Sequence, residues 1–249
     1  VTGLDDEAAR LARRVATVKD PQLRVAYVRS LLLEAAAPEV FALIVEVAGR
    51  AAVGDPAHRD LWLAMAVALA DPACRALRAG AADRARGLGD VELATLLEAG
   101  RDEAVDEDAR RVPTQGGRDG RPLTLGERKS LARRPSRDLL AKVLRDPHPD
   151  VVRILLGNPR LTEDDLVRLC ARRPIAPEVL REVARSPRWV VRYRVRVAIL
   201  RNPHTPLDLA LPLVAGLNAQ DARTIAASEG LPRALRDACA RLGPPETLH

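Results

Sequence analysis

At 249 residues, 47% of them apolar, the chain is long enough to bury a substantial core as one elongated domain or two compact ones. Aromatic residues make up only 2%, so that core must come from Leu, Val, Ile and Ala, and a composition rich in Ala, Leu and Arg excludes a sheet protein in favour of an all-α fold. The net charge of +6 is uneven: residues 1–123 hold 17 Lys+Arg against 20 Asp+Glu, a net of −3, and residues 124–249 hold 23 against 14, a net of +9. A basic C-terminal half suits an acidic partner.

In chain order, the apolar residues keep helical spacing between recurring start signals. Asp20-Pro21, Asp55-Pro56, Asp71-Pro72, Asp146-Pro147 and Ser186-Pro187 each precede a helical pattern. An Asp or Ser side chain accepts a bond from an orphan backbone N–H, and a proline at the first helical position has no N–H to lose. Ala8, Leu11, Ala12 and Val15 form a first stripe. Phe41, Ile44, Val45 and Ala48 form a second, Leu61, Ala64, Met65, Ala68 and Leu69 a third, and Leu139, Val143 and Leu144 continue the scheme. Each stripe requires a neighbouring helix to cover it. The longest apolar run, Leu61 to Ala70, falls short of the ~20 residues of a membrane span and reads as a buried helix. The opening Val-Thr-Gly-Leu-Asp-Asp shows no secretory signal, so a cytoplasmic location without membrane association is expected.

Residues 99–122 break the pattern with a charged run followed by Val-Pro-Thr-Gln-Gly-Gly-Arg-Asp-Gly-Arg-Pro. So little apolar surface predicts a linker or long loop. It separates a helical region over 1–98 from helical repeats over 123–243, with a tail at 244–249.

The C-terminal half is self-similar. Val151-Val152-Arg153-Ile154-Leu155-Leu156-Gly157-Asn158-Pro159 is matched by Val195-Arg196-Val197-Ala198-Ile199-Leu200-Arg201-Asn202-Pro203, and a threonine that can cap the next helix follows each Asn-Pro pair (Thr162, Thr205). Pro177-Glu178-Val179-Leu180-Arg181-Glu182-Val183-Ala184 is echoed by Pro232-Arg233-Ala234-Leu235-Arg236-Asp237-Ala238-Cys239, and Arg-Arg-Pro occurs at both 133–135 and 172–174. The changing offsets describe divergent repeats. About eight short helices are expected between Ser136 and Leu242, stacked so that each hairpin shares a core with the next.

The segments 146–162 and 186–206 resemble units of bacterial leucine-rich repeat variant (LRV) proteins, and also the Asp-Pro-x-x-Val-Arg segment of HEAT repeats. The likeness covers about residues 128–242, with a weaker echo at Asp20-Pro21-Gln22-Leu23-Arg24. It implies an α-solenoid, a HEAT/LRV-like superhelix, of a kind that mostly binds proteins and in a basic minority binds nucleic acid, HEAT-like DNA glycosylases included. The cysteine cluster of some such proteins is missing, so no iron–sulfur role is implied. The N-terminal half reads either as part of the array or as a more irregular helical bundle.

Signatures of chemistry are sparse. Cys74, Cys170 and Cys239 are odd in number and widely spaced, which reads as buried free thiols with no metal site. There is no His-Glu-x-x-His, P-loop or dinucleotide fingerprint, and Gly116-Gly117 with Gly120 lacks the strand and helix that a phosphate cradle needs. His148 and His204 read as exposed structural residues at hairpin tips. Glu163-Asp164-Asp165 reads as a helix first turn favoured by the macrodipole. No catalytic residue and no cofactor is nominated.

One constellation stands out. Arg181, Arg185, Arg188, Arg192 and Arg196 follow at spacings of four, three, four and four, divided between two helices at Pro187, with Trp189 and Tyr193 beside them. Those aromatics suit stacking on a base or an arginine, and helical spacing suits a packed core equally. Two functions compete on this reading: a non-catalytic scaffold that binds a partner protein, and a nucleic-acid-binding protein, related to DNA repair, that uses the basic half.

Overall fold

The structure, a computed structural model, describes residues 2–52, 55–98, 123–145 and 147–242. The fold is all-α: sixteen helices and one short 3-10 turn, with no strand among the described residues. Packing divides the chain into two units, one of residues 1–101 with 206–249 and one of residues 102–205. The predicted linker at 99–122 and the tail at 244–249 lie outside the described residues. Packing adds a boundary the pattern did not show, between Thr205 and Pro206. The helices beyond it belong with the N-terminal residues.

The first unit contains α1 (Thr2–Thr17), α2 (Pro21–Glu34), α3 (Ala37–Ala52), α4 (Pro56–Leu69), a 3-10 turn (Pro72–Cys74), α5 (Arg75–Gly87) and α6 (Val91–Glu98); α14 (Leu207–Val214), α15 (Ala219–Ala226) and α16 (Arg233–Leu242) complete it. The Asp-Pro signals work as expected here. Asp20 Oδ1 accepts from the N–H groups of Gln22 (2.7 Å) and Leu23 (3.1 Å). Asp55 Oδ1 accepts from Ala57 (3.0 Å), and Asp71 Oδ1 from Ala73 (2.9 Å) at the 3-10 turn. Helix α4 is the centre of the unit, packing on α1, α2, α3 and α14. Its apolar run supplies buried Leu61, Trp62, Ala64, Met65, Ala68 and Leu69, and no helix among the described residues is long and apolar enough to cross a membrane. Ala8, Leu11, Ala12 and Val15 of α1 are buried as the stripe predicts.

Helix α3 buries a rotated face: Val40, Ile44, Val47, Ala48 and Ala51, with Phe41 and Val45 only half-buried. The segment is apolar nearly all round, so two stripes at helical spacing are available and tertiary packing selects one. Helix α5 closes on α3 where Gly80 lies under the Phe41 ring with no room for a Cβ. Gly89, at φ 80°, makes the turn into α6, whose first turn Asp90 caps through Leu93 N–H (2.9 Å).

The second unit contains α7 (Leu125–Arg133), α8 (Arg137–Arg145), α9 (Pro149–Leu155), α10 (Glu163–Cys170), α11 (Pro177–Arg185), the single-turn α12 (Pro187–Val190) and α13 (Tyr193–Leu200). Thr124 with Glu127, and Thr162 with Asp165, form reciprocal capping boxes at α7 and α10. With α12 as a separate element, nine helices rather than about eight lie between residues 136 and 242.

Three expectations are corrected. Helix α9 starts two residues later than the Asp-Pro signal implies: Asp146 lies outside the described residues, Pro149 occupies the first turn, and His148 is the N-cap. His148 is accordingly buried rather than exposed, its Nδ1 accepting from Asp150 N–H at 3.2 Å. Thr205 caps nothing. It is buried and donates its hydroxyl to Ile199 O (2.6 Å), and Pro206 takes the N-cap position of α14.

The two Asn-Pro corners are the same structure built twice. Asn158 Nδ2 donates to Ala132 O (2.7 Å) and Arg134 O (3.0 Å), while its Oδ1 accepts from Arg160 N–H (2.9 Å). Asn202 Nδ2 donates to Cys170 O (2.7 Å) and Arg172 O (2.9 Å), while its Oδ1 accepts from His204 N–H (3.0 Å). Each asparagine is buried, and each staples the end of one helix to the end of another. The backbone of the corner recurs a third time after α15, where Ser228 N–H bonds Ile225 O and Leu231 N–H bonds Ser228 O, without the amide staple.

Candidate binding surface

The singled-out cluster is carried by three consecutive helices of the second unit. Arg181 and Arg185 lie on α11, Arg188 and Trp189 on α12, Tyr193 and Arg196 on α13, with Arg192 at the N-cap of α13. The chain breaks at Ser186-Pro187, as the proline predicts, so the arginines do not form one helical stripe.

Trp189 is a core residue, 3% exposed, and its indole Nε1 donates to Leu156 O at 2.8 Å. Arg188 lies over its ring at 4.8 Å and Arg192 at 5.6 Å. Tyr193 is half-buried and carries Arg196 over its ring at 5.4 Å. Arg196 is itself buried and donates to Val190 O (3.1 Å) and Val191 O (3.3 Å), closing the end of α12. Trp189 is therefore not presented for stacking on a base. Arg181 is half-buried, and Arg185 and Arg192 are exposed.

The acidic first turn of α10 is neutralised from two directions. Asp165 receives Arg137 through both oxygens (2.5 and 3.1 Å), Arg192 approaches Glu163 (3.5 Å), and Arg194 bonds Asp164 (2.6 Å). Burial works against the charged form of Asp165, but the bonds from Arg137 and Thr162 outweigh it and hold the carboxyl at about 2. Next along, Arg153 forks onto Glu182 (2.9 and 2.8 Å), joining α9 to α11.

Around the α9–α10 connection these bonds gather a set of cations. Asn158 fixes the Arg133-Arg134 corner beside α9, Arg137 Nη1 donates to Arg160 O (3.0 Å), and Trp189 ties α12 to Leu156. Arg134, Arg160 and Arg185 are exposed and Arg188 half-buried. None of the four has a carboxylate partner among the described residues.

No protein family, curated protein or solved structure matches the chain.

Other candidate chemistry falls into place around the core. Burial pushes the thiol of Cys170 up to about 12 and that of Cys239 up to about 11, and raises Cys74. All three are free and buried. No group of His, Cys, Asp and Glu among the described residues is arranged to hold a metal ion. His204 is exposed. The Gly116-Gly117 and Gly120 positions lie outside the described residues.

Sequence reasoning missed a groove in the first unit. A cavity of ≈ 390 Å³ opens between Ala48, Trp62, Leu93, Leu211 and Ala238, with the Arg241–Glu92 ion pair (2.8 Å) at its rim. Its walls come from α3, α4, α6, α14 and α16. No local motif announces a concavity assembled from both ends of a chain.

Proposed function

We propose that the chain is a non-catalytic helical-repeat scaffold of the α-solenoid kind, cytoplasmic, that binds a partner protein through its repeat surface. The observation that carries this reading is the duplicated asparagine corner. Asn158 and Asn202 make the same three bonds to equivalent backbone groups, so successive groups of helices are joined by the same device. Repetition of one packing unit is how solenoids build an extended surface, and such surfaces serve recognition. The likeness of segments 146–162 and 186–206 to LRV and HEAT units points the same way.

Affinity capture with the full chain, before and after nuclease treatment, tests it. The expected result is a protein retained at physiological salt and unaffected by nuclease. Capture of nuclease-released nucleic acid alone, or of nothing across several lysates, overturns it.

The nucleic-acid reading keeps one specific support, the charge of residues 102–205, which hold 23 Lys+Arg against 15 Asp+Glu, a net of +8. Burial of Trp189 weakens the part of that reading that took its indole as a stacking platform.

A further inference from the structure

We infer that the end of the second unit built around the α9–α10 connection is a docking surface for an acidic peptide segment carrying apolar residues, gripped by Arg134, Arg160, Arg185 and Arg188. This rests on the scaffold reading and names the face and the chemistry of its partner.

Three independent ties hold Arg134, Arg160 and Arg188 around the α9–α10 connection, and Arg185 lies three residues before Arg188 at the end of α11. Asn158 bonds Arg134 O, Arg137 bonds Arg160 O, and the Trp189 indole bonds Leu156 O while Arg188 lies over its ring. The backbone beneath the arginines is therefore fixed by the buried Asn158 and Trp189 and by Arg137, itself held on Asp165, which lowers the ordering cost of binding. Glu163, Asp164 and Asp165 are engaged by Arg192, Arg194 and Arg137, and Glu182 by Arg153, whereas Arg134, Arg160, Arg185 and Arg188 have no carboxylate partner among the described residues. The cations already paired here show what the surface accepts, since the bidentate fork of Arg137 on Asp165 is carboxylate recognition.

An exposed proline flanks three of the arginines: Pro135 after Arg134, Pro159 before Arg160 and Pro187 before Arg188. Each sets an exposed, rigid apolar ring next in the chain to an arginine. That alternation fits a chain whose carboxylates are interspersed with apolar side chains better than it fits a phosphate backbone, which offers no apolar counterpart. With Trp189 buried and its ring covered by Arg188 and Arg192, no base has a platform here.

The test is fluorescence anisotropy of the full chain with a labelled peptide of about twelve residues, glutamate and aspartate with interspersed leucines, from ~50 to ~200 mM salt. A DNA duplex of about 20 base pairs is titrated alongside as the phosphate competitor. The triple variant Arg134→Glu, Arg160→Glu, Arg188→Glu is compared with Lys142→Glu, Arg145→Glu, Arg168→Glu, which changes charge equally on exposed positions in the last turns of α8 and α10. The inference expects salt-sensitive peptide binding that weakens at least ~tenfold in the first variant and less than about threefold in the second. Equal losses in both variants, no peptide binding at the lowest salt, or tighter binding of the duplex with the same variant dependence each overturn it. Capture of a protein partner that the first variant retains also overturns the surface while leaving the scaffold reading intact. Failure of capture by the wild-type chain counts against the scaffold reading itself.

Discussion

Asn158 and Asn202 each satisfy two backbone carbonyls at the end of another helix with a single buried amide. Replacing either by alanine strands one buried and one part-buried carbonyl, so a loss of about 1–3 kcal/mol is expected from urea unfolding, against less than ~0.5 kcal/mol for the exposed Arg168→Ala. The Asn-Pro repeat was legible in the sequence. Its reach was not, because the carbonyls it binds lie 24 to 32 residues away. Asp165 makes a second residue-scale test. Its folded-state carboxyl is held at about 2, below its unfolded value of about 4, so its stabilisation is present above pH ~4 and disappears as pH falls toward 2. Chemical unfolding followed across that window should show a drop of about 1–2 kcal/mol in the wild type that Asp165→Asn lacks. The candidate site was legible as a cluster but not as a surface. Composition marks Trp189 as unusual, and only its bond to Leu156 O reveals that the indole belongs to the core.

Helix starts show how local signals succeed and fail. Asp20, Asp55 and Asp71 cap as their spacing predicts because each accepts from N–H groups two or three residues ahead, a geometry the sequence contains entire. Ser186 makes no side-chain cap bond, and the start expected at Asp146-Pro147 moves to Pro149 because His148 takes the cap. Both Asp146-Pro147 and His148-Pro149 offer a proline for the first turn, so pattern alone could not choose between them. The contact of α3 with α5 gives the test at this scale. Gly80→Ala must push the Phe41 ring aside, and a destabilisation of about 1–3 kcal/mol is expected in thermal or urea melts, although alanine is the better helix former. The cysteines report on the helices that bury them. Native protein should leave Cys74, Cys170 and Cys239 unmodified by iodoacetamide at pH 8, with all three alkylated once denaturant is added. Rapid labelling of Cys170 in the native state would show that the end of α10 opens.

The units divide charge as well as packing: residues 1–101 with 206–249 hold 17 Lys+Arg against 19 Asp+Glu, while residues 102–205 hold 23 against 15. Each also owns one buried tryptophan, Trp62 in the first and Trp189 in the second. Truncation after Thr205 should therefore leave the Trp189 emission native-like and shift that of Trp62 to the red, because Leu211, Val214 and Ala238 no longer face the groove it lines. Trp62→Phe and Trp189→Phe variants assign the two signals. The first unit is the discontinuous one, with Arg59 reaching Leu242 O and Arg241 reaching Glu92 across most of the chain. During synthesis the order of completion therefore inverts the order of the sequence. The basic middle has every residue it needs once Thr205 clears the ribosome, whereas α1–α6, made first, must wait for α14–α16 before their interior can close. Until then Trp62 and Leu93 lack the helices that wall the groove they line.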